Sequence, residues 1–414
     1  MRIFAATRHP AVLVGAAAAL PRLVALLVER GDILASFTEK SDDFARTFVA
    51  SGTFGFVPGV PSAYTQPLYG WFLIPLYWIF GRHWLVVGLA QIAVAVVTAL
   101  VVLEIGRRFV SPRTGLYGAL IATLSPYLVW HDVHVNRELL DQLAGATAFG
   151  LTLLLAQRAN AWIGAALGGS LAVAVLGNAR LVLLPLVVAA FVAWRLRARA
   201  VLALAVGAVA FAVVLAPWVV RNKVQVGCFA ITTDARALWK ANNVNTYETL
   251  KAGKWIDDVP PLPGAPRITP EFERDFYRND HRIVRVDECS QMRLYRHATI
   301  EFWREHPGEK AKLAAQATGM LWDPRPTKTE AAAAGTTGVA RWATAAYFVA
   351  LFVLAVGGVV AVPGAVAVLA VSFVAYETFA AMVFVGATRY RVAFDFVLAL
   401  LAGAALQRLA SRRR

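Results

Sequence analysis

Residues 84–106, WLVVGLAQIAVAVVTALVVLEIG, form an almost uncharged apolar run that is long enough to cross a lipid bilayer. A helix of about 20 apolar residues spans the hydrocarbon core. Similar runs recur along the 414-residue chain, which is 58% hydrophobic and has a mean hydropathy of +0.56. The sequence therefore predicts an all-α polytopic membrane protein.

About ten spans follow from these runs. We place them at 10–29, 84–106, 114–130, 138–156, 161–177, 180–195, 199–219, 341–361, 363–386 and 392–408. The first run resembles a signal peptide, but we expect it to remain as an anchor. The apolar stretch at 67–81 is short, and counting it as a crossing would move the arginine-rich loop after residue 106 outside. Parity therefore favours a re-entrant or interfacial segment at the outer face, with a short true span as the alternative.

The net charge of +15 is sorted by loop. Arginines without acidic neighbours occupy three loops and the C-terminal tail: Arg107, Arg108, Arg113, Arg158, Arg195, Arg197, Arg199, Arg408, Arg412, Arg413 and Arg414. By the positive-inside rule these loops and both termini are cytoplasmic. The charge then reflects topology and anionic membrane lipids, and no nucleic-acid partner is expected.

This topology divides the chain into three parts. Residues 1–220 form an N-terminal membrane module with an outer loop at 30–66, and residues 341–414 supply the C-terminal membrane helices. Residues 221–340 form an extracytoplasmic segment, expected to be a small domain of mixed secondary structure. It holds Cys228 and Cys289, the only two cysteines. A disulfide can persist outside the cytoplasm, so we predict that they pair, with two buried thiols as the alternative.

Two adjacent acids, Asp42 and Asp43, lie in the outer loop within TEKSDDFARTFVASGTFGF, residues 38–56. They could simply cap a short helix, because acids are favoured in a first turn. Alternatively, one of them points into a cavity near the membrane surface, where ionisable groups are costly and usually functional. A carboxylate at such a place could act as a general base.

Four motifs, in this order, resemble the GT-C glycosyltransferases, especially the family 39-like enzymes that include protein mannosyltransferases and lipid A aminoarabinose transferases. The motifs are SDDFARTFVASGTFGF (41–56), PSAYTQPLYGWFLIPLYWIFG (61–81), SPYLVWHDVHVNRELLDQL (125–143) and TRYRVAFDFVLALLAG (388–403). Phe44 replaces a common tyrosine, and Gln66 replaces a frequent proline. The resemblance covers the membrane portion well and residues 220–340 poorly.

The resemblance implies a GT-C-like fold in the cell membrane and an inverting transfer of a hexosyl or pentosyl group at the extracytoplasmic face. The donor would be a polyprenyl-phosphate sugar, and the acceptor an unidentified glycan, lipid or protein. No cofactor is implied. A weaker interpretation of HDVHVNRE makes His131, Asp132, His134 and Glu138 ligands of a divalent metal.

The resemblance also implies roles for single residues. Asp42 or Asp43 would be the base, with Asp42 closer to the family's leading acid. Arginine suits the donor phosphate because its planar fork binds two phosphate oxygens. The outer-side candidates for the phosphate are Arg389, Arg391 and Arg137, and those for orienting the substrate are Glu138, Tyr64, Gln66 and Tyr390. Snorkelling at a span end is the alternative for Arg389 and Arg391.

Two other functions compete with transfer. A lipid-linked-sugar flippase or other transporter usually has repeated halves and acids near the bilayer centre. This chain has no obvious repeat, and Glu377 is its one deep acid. A non-catalytic scaffold that displays residues 220–340 would leave the outer acids unexplained.

Overall fold

The computed structural model describes residues 2–35, 40–266, 268–327 and 338–412, which form helices joined by turns and loops. The first ten α-helices are α1 (Arg2–Val28), α2 (Lys40–Ser51), α3 (Pro67–Phe80), α4 (Trp84–Phe109), α5 (Pro112–Thr123), α6 (Pro126–His131), α7 (Glu138–Arg158), α8 (Ala161–Gly177), α9 (Leu184–Leu196) and α10 (Ala200–Gln225). The others are α11 (Ala235–Lys240), α12 (Thr246–Lys251), α13 (Pro270–Asp280), α14 (Glu288–Glu305), α15 (Pro307–Trp322), α16 (Val339–Gly358), α17 (Gly364–Val383), α18 (Thr388–Arg391) and α19 (Asp395–Arg412).

The helices confirm an all-α polytopic membrane protein. Six described helical segments are long and apolar enough to cross a membrane: His9–Val28, Trp84–Phe109, Glu138–Arg158, Ala179–Gln225, Ala340–Ala361 and Gly364–Val383. The exact number of spans stays a prediction. α3 has only 14 residues, too few for a bilayer-spanning helix, and a short turn connects it to α4.

The span expected at 114–130 is interrupted. α5 ends at Thr123 and α6 begins at Pro126. Proline has no N–H to donate, and it disfavours helical geometry in the residue before it. The break lets α1 attach here. Arg22 is buried on α1 and pairs with Asp132 at 2.7 Å, while its Nη1 donates to the Thr123 carbonyl at 2.9 Å.

Two arginine-bearing segments and the turn after α16 meet at one end of the bundle. Thr114 donates to the Gln407 side chain at 2.6 Å, and Arg408 donates to the Val360 carbonyl at 2.9 Å. The turn between α4 and α5, the turn after α16 and the end of α19 therefore lie together. We call the opposite end, which carries α2 and α3, the outer end. Its extracytoplasmic location is still a prediction from the arginine pattern.

Small residues bring α8 and α10 into close contact. A Cβ atom on Gly164 or Gly168 would clash with the backbone of Ala203 or Gly207, respectively. Interfaces between membrane helices use small residues for this purpose. Beside this contact, α7, α8, α9 and α10 line an apolar cleft of about 480 Å³ that includes Val182.

The polar segment after α10 packs on the outer end of the bundle. Glu288 is buried and accepts hydrogen bonds from Ser62, from the Ala63 N–H at 3.1 Å and from Thr233 at 2.7 Å. Lys310 donates to the Met382 carbonyl at 2.7 Å. The expectation of mixed secondary structure was wrong, because the described part of this segment forms only helices and loops.

Cys228 and Cys289 form a disulfide that connects the end of α10 to the start of α14, 61 residues later. In the chain-entropy model, a loop of that length stabilises the folded state by up to about 4 kcal/mol. We expect Cys228→Ser/Cys289→Ser to make the outer segment more sensitive to protease and to lower the thermal unfolding temperature. Wild-type protein under reducing conditions should match the variant. Unchanged proteolysis and unfolding in both would show that the bond is dispensable.

Candidate functional site

The outer end of the bundle contains a polar pocket of about 240 Å³. Segments from α2, the loop before α3, the residues around α7 and α9, and the polar segment converge there. The described residues that line it are Lys40, Tyr64, Thr65, Gln66, Arg137, Asn178, Ala179, Arg180, Thr232, Asp234, Ala237, Leu238, Ala241, Trp255, Ile256, Asp257, Phe384, Val385, Arg389 and Tyr390. We call this cavity the arginine pocket.

Five residues singled out from the sequence meet in the arginine pocket. They are Arg137, Arg389, Tyr64, Gln66 and Tyr390. Arg137 donates to the Gln66 side chain at 2.6 Å. Burial raises the pKa of the Tyr64 phenol, so this side chain stays neutral at ordinary pH. The motifs around residues 64, 137 and 389, far apart in the sequence, thus contribute to one cavity.

Glu138 lies behind the pocket and holds one of its arginines. The carboxylate is buried and accepts hydrogen bonds from Arg389 Nε at 2.9 Å and Nη2 at 2.8 Å. His131 Nε2 lies 3.3 Å from the other carboxylate oxygen. Both guanidinium nitrogens contact one carboxylate oxygen, Oε1, and this charge-assisted contact restricts the orientation of Arg389. Glu138 therefore positions Arg389 rather than lining the pocket itself.

Arg391 points away from the pocket. It is buried and donates to the Leu321 carbonyl at 2.7 Å, and it pairs with Asp395 at 3.2 Å. Residues two apart on a helix do not share a face, so Arg389 and Arg391 diverge. The structure therefore puts Arg391 in a packing contact between α15 and α19, away from the pocket where a donor phosphate was expected.

Arg180 is a pocket residue that the sequence analysis missed. Asn178 accepts a hydrogen bond from the Arg180 N–H at 3.1 Å, and Tyr376 donates to the Arg180 carbonyl at 2.6 Å. The guanidinium lies 3.9 Å from the centroid of the Tyr390 ring and donates through Nη2 to the Val385 carbonyl at 2.7 Å. Its buried Nε and Nη1 have no hydrogen-bond partner among the described residues.

The backbone and the ring thus hold Arg180, while two of its donor atoms remain unused. Buried polar groups normally have partners, so these two donor atoms are available to bind a further acceptor. The available sequence signal was a single charge at the outer end of an apolar run, in GNARLV at 177–182.

Lys40 and Asp234 line the arginine pocket together. Their side chains pair at 3.0 Å, and Lys40 also pairs with Glu271 at 3.2 Å. Burial alone would lower the pKa of Lys40, but attraction to the two carboxylates raises it above its ordinary value. Burial alone would raise the pKa of Asp234, but attraction to Lys40 holds it below its ordinary value. Both groups are therefore charged at neutral pH.

Asp42 and Asp43 are absent from the described lining of the pocket. Asp42 is buried and accepts from Tyr77 at 2.6 Å and from Arg82 Nε and Nη2, each at 2.9 Å. Asp43 pairs with Arg274 at 3.2 Å and with Arg278 at 2.5 Å, both on α13. Neither acid therefore lines the pocket that holds Arg389. Their catalytic role stays a prediction.

Two of the four residues considered as metal ligands contact each other, and the other two have separate partners. Asp132 pairs with Arg22, whereas His131 contacts Glu138. His134 Nδ1 lies 3.0 Å from the Trp130 carbonyl oxygen. Within the described residues, no group of three or more His, Cys, Asp or Glu side chains could hold a metal ion.

Comparisons with known proteins give a consistent result. Residues 61–220 match the family model described as dolichyl-phosphate-mannose-protein mannosyltransferase. The archaeal oligosaccharyltransferase AglB from Archaeoglobus fulgidus, in complex with an inhibitory peptide and a dolichol-phosphate, aligns with a TM-score of 0.58 at 12% identity. That alignment covers 98% of this chain and 51% of AglB, so the chain spans about half of the AglB length.

Two structures of ArnT from Cupriavidus metallidurans align less closely. The one bound to undecaprenyl phosphate has a TM-score of 0.43 at 17% identity, covering 95% of this chain and 78% of ArnT. The apo structure has a TM-score of 0.42 at 19% identity, covering 98% and 79%. No curated protein matches the sequence. The match of residues 61–220 to that family model and the AglB alignment agree with the resemblance identified from the four motifs: this chain is a multi-pass membrane protein that shares the fold of AglB, a GT-C glycosyltransferase.

Proposed function

We propose that this protein transfers a sugar from a polyprenyl-phosphate donor to an acceptor at the extracytoplasmic face of the cell membrane, with inversion. The observation that carries the proposal is the set of three arginines in one pocket, of which Arg180 has two unused, buried donor atoms. Arginine is suited to bind phosphate oxygens through two hydrogen bonds. The complex of AglB with a dolichol-phosphate supports a lipid phosphate as the ligand.

The pocket supplies what a departing lipid phosphate needs. As the bond between the sugar and the phosphate breaks, negative charge develops on the phosphate oxygen. Donors that are already oriented toward that charge lower the barrier without reorganising. Arg389 is oriented by Glu138, and Arg180 by Tyr376 and the Val385 carbonyl. Phosphate binding is the step that these contacts support most directly.

The surroundings suit two substrates of opposite character. Val182 in the apolar cleft is two residues from Arg180 in the arginine pocket. A polyprenyl chain in this cleft would place its phosphate end beside the arginines. On the other side, Asp257 and Trp255 line the pocket from the polar segment, so a water-borne acceptor can approach there. Aromatic faces such as that of Trp255 suit contact with a sugar.

Inversion follows from a single displacement. If the acceptor oxygen attacks the anomeric carbon opposite the phosphate, no covalent intermediate with the protein forms. The reaction then needs one carboxylate to accept the hydroxyl proton and cationic donors for the leaving phosphate. This requirement directs attention to the acids that reach the arginine pocket.

A lipid-linked-sugar flippase is the alternative function. Its sequence support was Glu377, which is buried on α17 six residues before the outer end of that helix. The preceding residue, Tyr376, donates to the Arg180 carbonyl at 2.6 Å. This acid therefore belongs to the surroundings of the arginine pocket rather than to a site near the bilayer centre.

The proposal is tested with the full chain purified into lipid nanodiscs. We expect polyprenyl phosphate to bind and to raise the thermal unfolding temperature, whereas polyprenol, which has the same chain without the phosphate, has little effect. A panel of polyprenyl-phosphate sugars with candidate acceptors should release polyprenyl phosphate as product. Equal binding of polyprenol would contradict the phosphate site. Vectorial movement of the lipid-linked sugar in proteoliposomes without transfer would favour the flippase.

A further inference from the structure

We propose that Asp234 is the carboxylate that accepts the proton of the acceptor hydroxyl. This inference rests on the proposed glycosyl transfer and names the general base of that same site. The sequence directed attention to the outer loop, whereas Asp234 comes from the polar segment just before α11. Three features support this role. Asp234 lines the pocket, hydrogen bonds orient its carboxylate, and its partner Lys40 has a second carboxylate with which it can pair.

Asp234 is the acid best placed to meet a bound acceptor. The carboxylates among the described lining residues are those of Asp234 and Asp257. The Asp257 side chain is 77% exposed, so it stays in water at the rim. The Asp234 side chain is 16% exposed, so it is largely shielded from water but still open to the pocket. A general base must reach the proton that it removes, and Asp234 shares the cavity with all three arginines.

Its two carboxylate oxygens are used differently. Oδ1 accepts a hydrogen bond from the Ala237 N–H at 3.2 Å and caps α11. Oδ2 accepts from Lys40 Nζ at 3.0 Å. The residue is held further by a hydrogen bond from its own N–H to Thr232 Oγ1 at 3.2 Å. Oδ1 is therefore fixed by the backbone, while Oδ2 depends on a flexible lysine side chain.

Lys40 can move away from Asp234 without losing all its charge partners. It also pairs with Glu271 at 3.2 Å, and it lines the pocket into which the donor phosphate would enter. A phosphate bound beside the arginines adds a third anion within the same cavity. We infer that Lys40 shifts toward Glu271 and the phosphate when the donor binds. Oδ2 of Asp234 then becomes available to the acceptor.

The proposed transfer is a single displacement. The acceptor oxygen forms a bond to the anomeric carbon, and the bond from that carbon to the phosphate oxygen breaks. The electron pair of the broken bond stays on the phosphate, which Arg180, Arg389 and Arg137 bind. The acceptor proton moves to Asp234 Oδ2. Polyprenyl phosphate and the glycosylated acceptor leave, and Asp234 loses the proton to water.

Asp234→Asn tests the proposal, because asparagine caps a helix but cannot take the proton. We expect transfer to fall about 10²–10⁴-fold, while polyprenyl phosphate binds within about threefold of wild type. The acidic limb of the pH–rate profile should disappear. Asp234→Ser retains a capping oxygen and serves if the asparagine variant does not fold. Asp234→Glu should keep more activity than either.

Asp287→Asn is the matched control, because Asp287 also caps a helix, α14, through the Ser290 N–H at 2.8 Å and lies outside the pocket. It should leave transfer unchanged. The proposal is overturned if Asp234→Asn retains transfer within about tenfold of wild type. It is equally overturned if Asp43→Asn alone removes the acidic limb. Failure of wild-type protein to bind polyprenyl phosphate would instead remove the proposed function itself.

Discussion

Replacing Arg180 with alanine is expected to weaken the binding of polyprenyl phosphate by about 30-fold or more. Removing one member of a buried, hydrogen-bonded charge pair costs roughly 2–5 kcal/mol, and 1.4 kcal/mol corresponds to a factor of ten. The effect should be large because Nε and Nη1 are buried and have no acceptor among the described residues until the phosphate arrives. Transfer should fall at least as much as binding, because the charge on the phosphate grows as the sugar leaves.

Arg180→Lys separates charge from geometry. Lysine keeps the positive charge but lacks the planar fork and stacks less well on Tyr390. We expect it to recover only part of the binding. Arg325→Ala is the control, since Arg325 is 52% exposed and pairs locally with Asp323. Binding should be measured by titration with polyprenyl phosphate in nanodiscs. If Arg180→Ala binds the lipid phosphate as wild type does, the unused donors have another purpose, and the pocket is not the phosphate site.

The presence of the helices could be predicted well from the sequence, and some of the expected helix boundaries were close to those in the structure. The span expected at 161–177 coincides with α8, Ala161–Gly177, because Asn160 caps its start through the Trp162 N–H. The span expected at 114–130 contains Pro126, and its break could have been anticipated from that residue. Apolar length and proline positions are local properties, and a single sequence contains them.

The pocket could be predicted only in part, since it depends on which faces of distant helices meet. The sequence motifs identified Arg389 and Arg391 together, but helical geometry sends one to the pocket and the other to packing. Arg180 and Asp234 belong to no motif that we recognised. Their significance appears only when α9 and the polar segment come together beside Tyr390 and Lys40.

The polar segment was difficult for a related reason. Its contacts with the bundle run through single side chains, such as Glu288 to the Ala63 N–H and Lys310 to the Met382 carbonyl. Such contacts leave no periodic pattern in the sequence. The pairing of the two cysteines was the one long-range restraint that simple counting suggested, and it brings α14 to the end of α10.

Asp42→Asn is expected to lower stability by about 2 kcal/mol, through loss of a buried pair rather than loss of a base. The Asp42 side chain is 4% exposed and binds both Nε and Nη2 of Arg82. Removing one partner of a buried pair is strongly destabilising. We reduce that cost here because Arg82 is 28% exposed and also donates to the Leu34 carbonyl at 2.7 Å.

Thermal or denaturant unfolding in detergent measures this effect, and Asp43→Asn is the neighbouring control. Asp43 pairs with arginines on the partly exposed α13, so its loss should affect stability less. Asp42→Asn/Arg82→Gln should recover part of the stability, because no unpaired charge remains. The opposite pattern, normal stability with transfer reduced about 10²–10⁴-fold in Asp42→Asn alone, would restore Asp42 as the base. Since Asp42 already accepts three hydrogen bonds from Tyr77 and Arg82, we expect the loss of stability instead.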